Sequence, residues 1–187
     1  IHSTHSPARL SYCPDGAFKA TYLANEACQL ANLKWRETSY ILMRRGPYVI
    51  AAGLDETLEL PVRTIKGTFI DLFSPTLDVV NSVELAPGSR VLLLDLAKAR
   101  HPELASGSKV LASASKVLEV TTTANSIRFH SEGPEATTCA TRVALPSEPK
   151  SAKADGADIH FAWHAESKTA LLTYPNSPEG KWIEITW

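Results

Sequence analysis

Short apolar runs punctuated by turn residues predict an all-β chain: two small β-sandwiches with at most one short helix. Three observations carry this expectation. Pro or Gly interrupts the chain at short intervals, as in CPDG, RRGP, IKG, SPTL, APGS, EGPE, LPSEP, ADG and PNSPEG. The runs between them are rich in β-branched and aromatic residues and have strand length. Only one stretch is compatible with a helix, YLANEACQLANLKW at 22–35, which has no interior Gly or Pro.

Taken in order, strands are expected at 8–12, 17–23, 39–43, 47–53, 58–64, 67–73, 78–85 and 89–96. A second set follows at 109–113, 116–121, 126–130, 137–144, 158–164, 168–174 and 181–187. Between the sets, AKARHPELASGS at 97–108 loses the strand pattern and is rich in small and polar residues. It reads as a junction between a domain at 1–100 and an immunoglobulin-like domain at 108–187, with one continuous sandwich as the competing reading. Arg44 and Arg45 before Gly46-Pro47 read as a charged hairpin end rather than a phosphate site.

Composition narrows the function classes. With 187 residues the chain can bury one full core or two small ones. Its 19 basic residues against 20 acidic give no electrostatic case for nucleic acid or an anionic membrane as partner. The apolar run VLLLDLA at 91–97 is far short of the ~20 residues that span a bilayer. No signal peptide is visible, and a start at Ile1 reads as a processed or trimmed product. Three cysteines are too few for a disulfide scaffold and match no zinc spacing. Three reduced thiols are expected, with a Cys13–Cys28 bridge as the alternative.

The chain ends GKWIEITW, and its tryptophans lie five apart, on opposite faces of a strand. Joining 158–164 to 168–174 through AESK sets Phe161 opposite Leu172 and Trp163 opposite Ala170. Joining 168–174 to 181–187 through PNSPEG sets Leu172 opposite Ile183. One face then holds Phe161, Trp163, Leu172, Ile183, Ile185 and Trp187, which is a core. The other carries His160, Thr173 and Trp182 in a row across three strands. An indole beside imidazole and hydroxyl groups resembles a sugar-binding platform, because sugar C–H faces stack on indole. The alternative is that Trp182 packs against another domain.

Other candidates carry less. His160 and His164 in one strand are about 13 Å apart, too far to share a metal ion, so no metal site is expected. Trp35, between Lys34 and Arg36, is a second stacking candidate beside its reading as a half-buried edge residue. Asp55, Glu56, Asp71 and Asp95 could supply an acid and a base only in a cleft of defined geometry. There is no GxSxG, P-loop or HExxH motif.

Two regions resemble a known family. MRRGPYVIAAGLDE with IKGTFIDLFSPTLDVVNSVELAPGSRVLLLDLA is similar to the small β-domains that follow catalytic domains in bacterial glycoside hydrolases and polysaccharide-degrading proteins. EGPEATTCATRVALPSEPKSAKADGADIHFAWHAESKTALLTYPNSPEG is similar to their immunoglobulin-like C-terminal modules. The Asp155-Gly156 turn carries the likeness, although the valine that precedes it in the family is replaced here. The resemblance implies a non-catalytic, carbohydrate-related accessory or glycan-binding protein, bacterial and extracellular or periplasmic. Its partners would be a polysaccharide or the catalytic domain of a larger protein, with no cofactor and no catalytic residues. The rival is a small stand-alone hydrolase with its site between the two domains.

Overall fold

The computed structural model describes residues 16–35, 37–55, 60–99 and 107–187. The expected strand at 8–12, Cys13, Glu56 and most of the 97–108 junction lie outside them. The chain divides into two units, 1–38 and 39–187.

The described part of the first unit is built on helix α1 (Gly16–Leu30). It begins six residues before the expected helix and replaces the strand expected at 17–23. The correction has a simple cause: Ala17, Ala20, Ala24 and Ala27 favour helix, and Thr21 is the segment's one β-branched residue. Asn32 in the left-handed region (φ 56°) ends it, with the Leu33 amide donating to the Cys28 carbonyl at 2.7 Å. Cys28 and Cys139 are free thiols.

The second unit is mostly β. Its N-terminal sheet comprises β1 (Tyr40–Arg45), β2 (Tyr48–Gly53), β3 (Arg63–Asp71), β4 (Val79–Leu85) and β5 (Arg90–Asp95), ordered β1-β2-β5-β3-β4. Arg45 pairs with Tyr48 across Gly46-Pro47, so the double arginine is a hairpin end, and Arg44 meets Asp95 at 3.4 Å. β3 joins the end of the strand expected at 58–64 to most of the one expected at 67–73, because Gly67 marks a bulge rather than a break. Its φ is 146°, and a Cβ there would lie 2.7 Å from the Phe69 ring. Val49, Ala51, Ile65, Phe69, Leu85 and Leu93 form the core on one side of this sheet.

A single helical turn, α2 (Leu96–Ala99), ends this part of the unit. The remaining strands are β6 (Lys109–Ser113), β7 (Lys116–Thr122), β8 (Ser126–Glu132), β9 (Thr138–Ala144), β10 (Ser151–Ala154), β11 (Ala157–Asp158), β12 (His160–His164), β13 (Thr169–Pro175) and β14 (Lys181–Thr186). They form a four-stranded sheet, β12-β13-β9-β6, and a five-stranded sheet, β11-β10-β14-β8-β7. The two sheets share one core, with Ile127, Phe129, Ile183 and Ile185 meeting Val143, Ala170, Leu172 and Tyr174. Phe161, Trp163 and Trp187 pack against it, partly buried.

The β12–β13 register is the one read from the sequence, with Phe161 opposite Leu172 and Trp163 opposite Ala170. The β13–β14 hairpin is not formed. β13 pairs with β9, while β14 pairs with β8 and β10 in the other sheet. PNSPEG therefore crosses between sheets, anchored by the Asn176 amide on the Thr137 carbonyl and the Gly180 amide on the Ser177 carbonyl. Alternation still identified the core residues, because the inner faces of both sheets point at the same core.

Two polar features tie the layers together. The Tyr174 hydroxyl bonds Thr141 Oγ1 within its own sheet and donates to Ser131 Oγ of the facing sheet, both at 2.9 Å. On the outer side of the four-stranded sheet, Leu111, Ala112, Ala140 and Leu171 pack against Ile70, Leu77, Leu94 and Leu96. Arg142 is buried among these layers, its Nη1 donating to Thr169 Oγ1 at 3.1 Å and its Nη2 to the Thr76 carbonyl at 3.4 Å.

Candidate functional site

Trp182 occupies the second position of β14. Its neighbour Ile183 is fully buried, so alternation turns the indole to the outer face of the five-stranded sheet. There it is half-buried, opposite His130 of β8, with ring centroids 5.1 Å apart and planes inclined by 56°. The Arg128 guanidinium lies over the indole, its carbon 4.1 Å from the ring centroid. The cover is thus supplied by a side chain of the same sheet.

The charge arrangement explains the geometry in part. Register places Arg128 opposite Glu184, and Glu184 opposite Lys153. Among the described residues Arg128 nevertheless makes no ion pair within 4.0 Å; the guanidinium stacks on the indole instead. Its N–H donors therefore remain available beside the indole. His130 sits 3.7 Å from Glu132, which is itself 3.2 Å from Lys116.

The strand end is fixed from below. The Trp182 amide donates to Asp155 Oδ1 at 2.9 Å, and the Asp155 amide donates to the Trp182 carbonyl at 2.8 Å. Asp155 and Gly156 both have positive φ (48° and 85°), as the two-residue turn between β10 and β11 requires. The Asp-Gly turn thus clamps the strand that carries the indole. On the other side, Gly180 makes room for the imidazole, since a Cβ there would run into the His130 ring.

The expected row of His160, Thr173 and Trp182 does not exist. His160 and Thr173 do face each other, both exposed, but on the four-stranded sheet. Trp182 is on the other sheet because of the PNSPEG crossing, and outer faces of facing sheets point away from each other. Trp35 belongs to the first unit, 37% exposed, with Nε1 donating to Glu37 at 3.1 Å. His164 bonds Ser167 through Nδ1 at 2.8 Å. Among the described residues no three His, Cys, Asp or Glu side chains gather as metal ligands would.

A groove of about 480 Å³ opens elsewhere, lined by Tyr48, Leu72, Phe73, Leu77 and residues 111–114. Its polar side chains are Ser74, Ser113 and the Tyr48 phenol, and no imidazole, carboxylate or amine lines it. Arg128 and His130 were missed in the sequence. SIRFHSE alternates as clearly as KWIEIT, so their outward direction was available, but the pairing of β8 with β14 was not.

Compared with protein-family models, curated proteins and solved structures, the chain finds no match.

Proposed function

We propose that this chain is a non-catalytic, carbohydrate-related accessory module, built as two β-sandwiches, that binds glycan on the outer face of its C-terminal five-stranded sheet. The observation that carries this is the Arg128 guanidinium over the Trp182 indole, with N–H donors that make no ion pair among the described residues and His130 beside it. Sugar rings offer apolar C–H faces to such a surface, and their hydroxyls accept from the guanidinium and exchange hydrogen bonds with Glu184 and Lys153. The resemblance of residues 43–56, 65–97 and 132–180 to accessory domains of polysaccharide-degrading proteins supports the same class. A catalytic domain of a larger protein, acting outside the cytoplasm, is the partner such a module serves.

Electrophoresis through gels containing soluble polysaccharides tests it. The unaltered chain is expected to be retarded by at least one polysaccharide, and Trp182→Ala to lose retention several-fold or more, since aromatic stacking contributes about 0.5–1.5 kcal/mol beyond area. Arg128→Gln should weaken retention while leaving the sheet intact, because its side chain is exposed. Equal retention of all three proteins, or none by any polysaccharide, would contradict the proposal.

A further inference from the structure

We infer that the groove beside β6 receives an extended segment of another polypeptide, which adds to the four-stranded sheet as a fifth strand. This stands apart from the glycan surface, which lies on the other sheet.

β6 is an edge strand. Among the described residues it pairs only with β9, and no other backbone hydrogen bond reaches Lys109–Ser113. An open edge presents a row of N–H and C=O groups that a strand can satisfy. The groove runs along this edge rather than over one face of the strand. Leu111, Ala112, Ser113 and Ala114 are consecutive, and all four line it. Ala112 points outward with Arg142, whereas Ser113 points inward to Thr141 at 2.8 Å, so the common element is the backbone.

The opposite wall is apolar and already in place. Phe73 is 62% exposed and Tyr48 45%, with Leu72 and Leu77 beside them. The loop that carries Phe73 is held by Asp71 Oδ1 on the Phe73 amide at 2.9 Å and by Ser74 and Thr76 on Asp78 at 2.6 and 2.8 Å. A wall formed before binding lowers the ordering cost of the complex. The groove also continues an existing interface, since Leu72, Leu77, Leu111 and Ala112 belong to the cluster that joins the N-terminal and four-stranded sheets.

The polar chemistry selects the occupant. Both serine hydroxyls of the lining are spent internally, Ser74 on Asp78 and Ser113 on Thr141. Beside the Tyr48 hydroxyl at one end, the β6 backbone is what remains to orient a polar ligand. A sugar would leave its hydroxyls unpaired against Leu72, Phe73 and Leu77. An extended peptide meets its polar needs through the ladder and places alternate apolar side chains against that wall.

Nuclear magnetic resonance titration of the full chain with the blocked peptide TVTITVTK tests this. Saturable shifts at residues 111–114, with slowed amide exchange there, are expected. TVTPTVTK, which lacks the central N–H, should bind far more weakly. Phe73→Asp, an exposed substitution compatible with folding, should weaken TVTITVTK by about tenfold or more, as loss of an aromatic anchor does. Trp182→Ala should leave peptide binding unchanged, so either proposal can fail alone. The inference is overturned if no shift appears at 111–114 at millimolar peptide, or if TVTPTVTK binds equally. It is also overturned if a soluble oligosaccharide shifts the same residues, or if the groove closes by self-association that Phe73→Asp abolishes.

Discussion

Replacing Tyr174 by Ala is expected to cost about 3–5 kcal/mol of folding stability, the range for deleting a buried aromatic side chain. Tyr174 is 2% exposed at the centre of the core between the facing sheets. Tyr174→Phe keeps the ring and removes only the hydroxyl, so its cost should be about 1–2 kcal/mol for the lost bonds to Thr141 and Ser131. The same pair of proteins gives a pH signature. Burial, and the Cys139 contact, hold the Tyr174 phenol well above its ordinary value of 10.0. Folded protein thus keeps its proton where the unfolded chain has lost it, and stability is present below pH 10 and declines as pH rises further. Urea unfolding across alkaline pH should show that decline in the unaltered chain and a smaller one in Tyr174→Phe. A Phe variant as stable as the original at neutral pH would show that the hydroxyl does not join the sheets.

Arg142 supplies the second large effect. It is 6% exposed, its Nε has no hydrogen-bond partner, and its two bonded nitrogens reach Thr169 and the Thr76 carbonyl. Desolvation pushes its pKa down from the ordinary arginine value, with Asp78 partly opposing the shift. Arg142→Ala removes the packing of the long stem and the bonds to Thr169 and the Thr76 carbonyl, for an expected loss of about 3 kcal/mol. Arg142→Met loses the same two bonds but keeps most of the volume and removes the desolvated charge, so it should cost clearly less than Ala, about 1 kcal/mol. Chemical denaturation of the two variants separates the alternatives. If Met is as damaging as Ala, the hydrogen bonds rather than the packing join the layers.

What the sequence disclosed depended on the distance over which the physics acts. Alternation in HFAWH and TALLTYP is local, and AESK is short enough to force a hairpin, so the β12–β13 register was legible residue by residue. PNSPEG is also short, yet Pro175, Pro178 and the Gly180 turn carry the chain to the other sheet. Burial parity is the same in either sheet, so the sequence pattern identified Ile183 and Ile185 as core without naming their neighbours. Alternation alone therefore turns Trp182 outward, while the pairing of β14 with β8 sets its companions. The strand SAKA at 151–154 went unread because it lacks β-branched and aromatic residues; pairing with β14 creates it. Gly67 looked like punctuation and is a bulge within β3.

The indole Nε1–H resonance of Trp182, followed while a soluble polysaccharide that retards the chain in gels is added, reports glycan binding on the outer face of the five-stranded sheet. A saturable shift of that resonance is expected together with those of Arg128 and His130, and none at Tyr48, Phe73 or His160. A saturable shift confined to residues away from the outer face of the five-stranded sheet, with the Trp182 resonance unmoved, would contradict it.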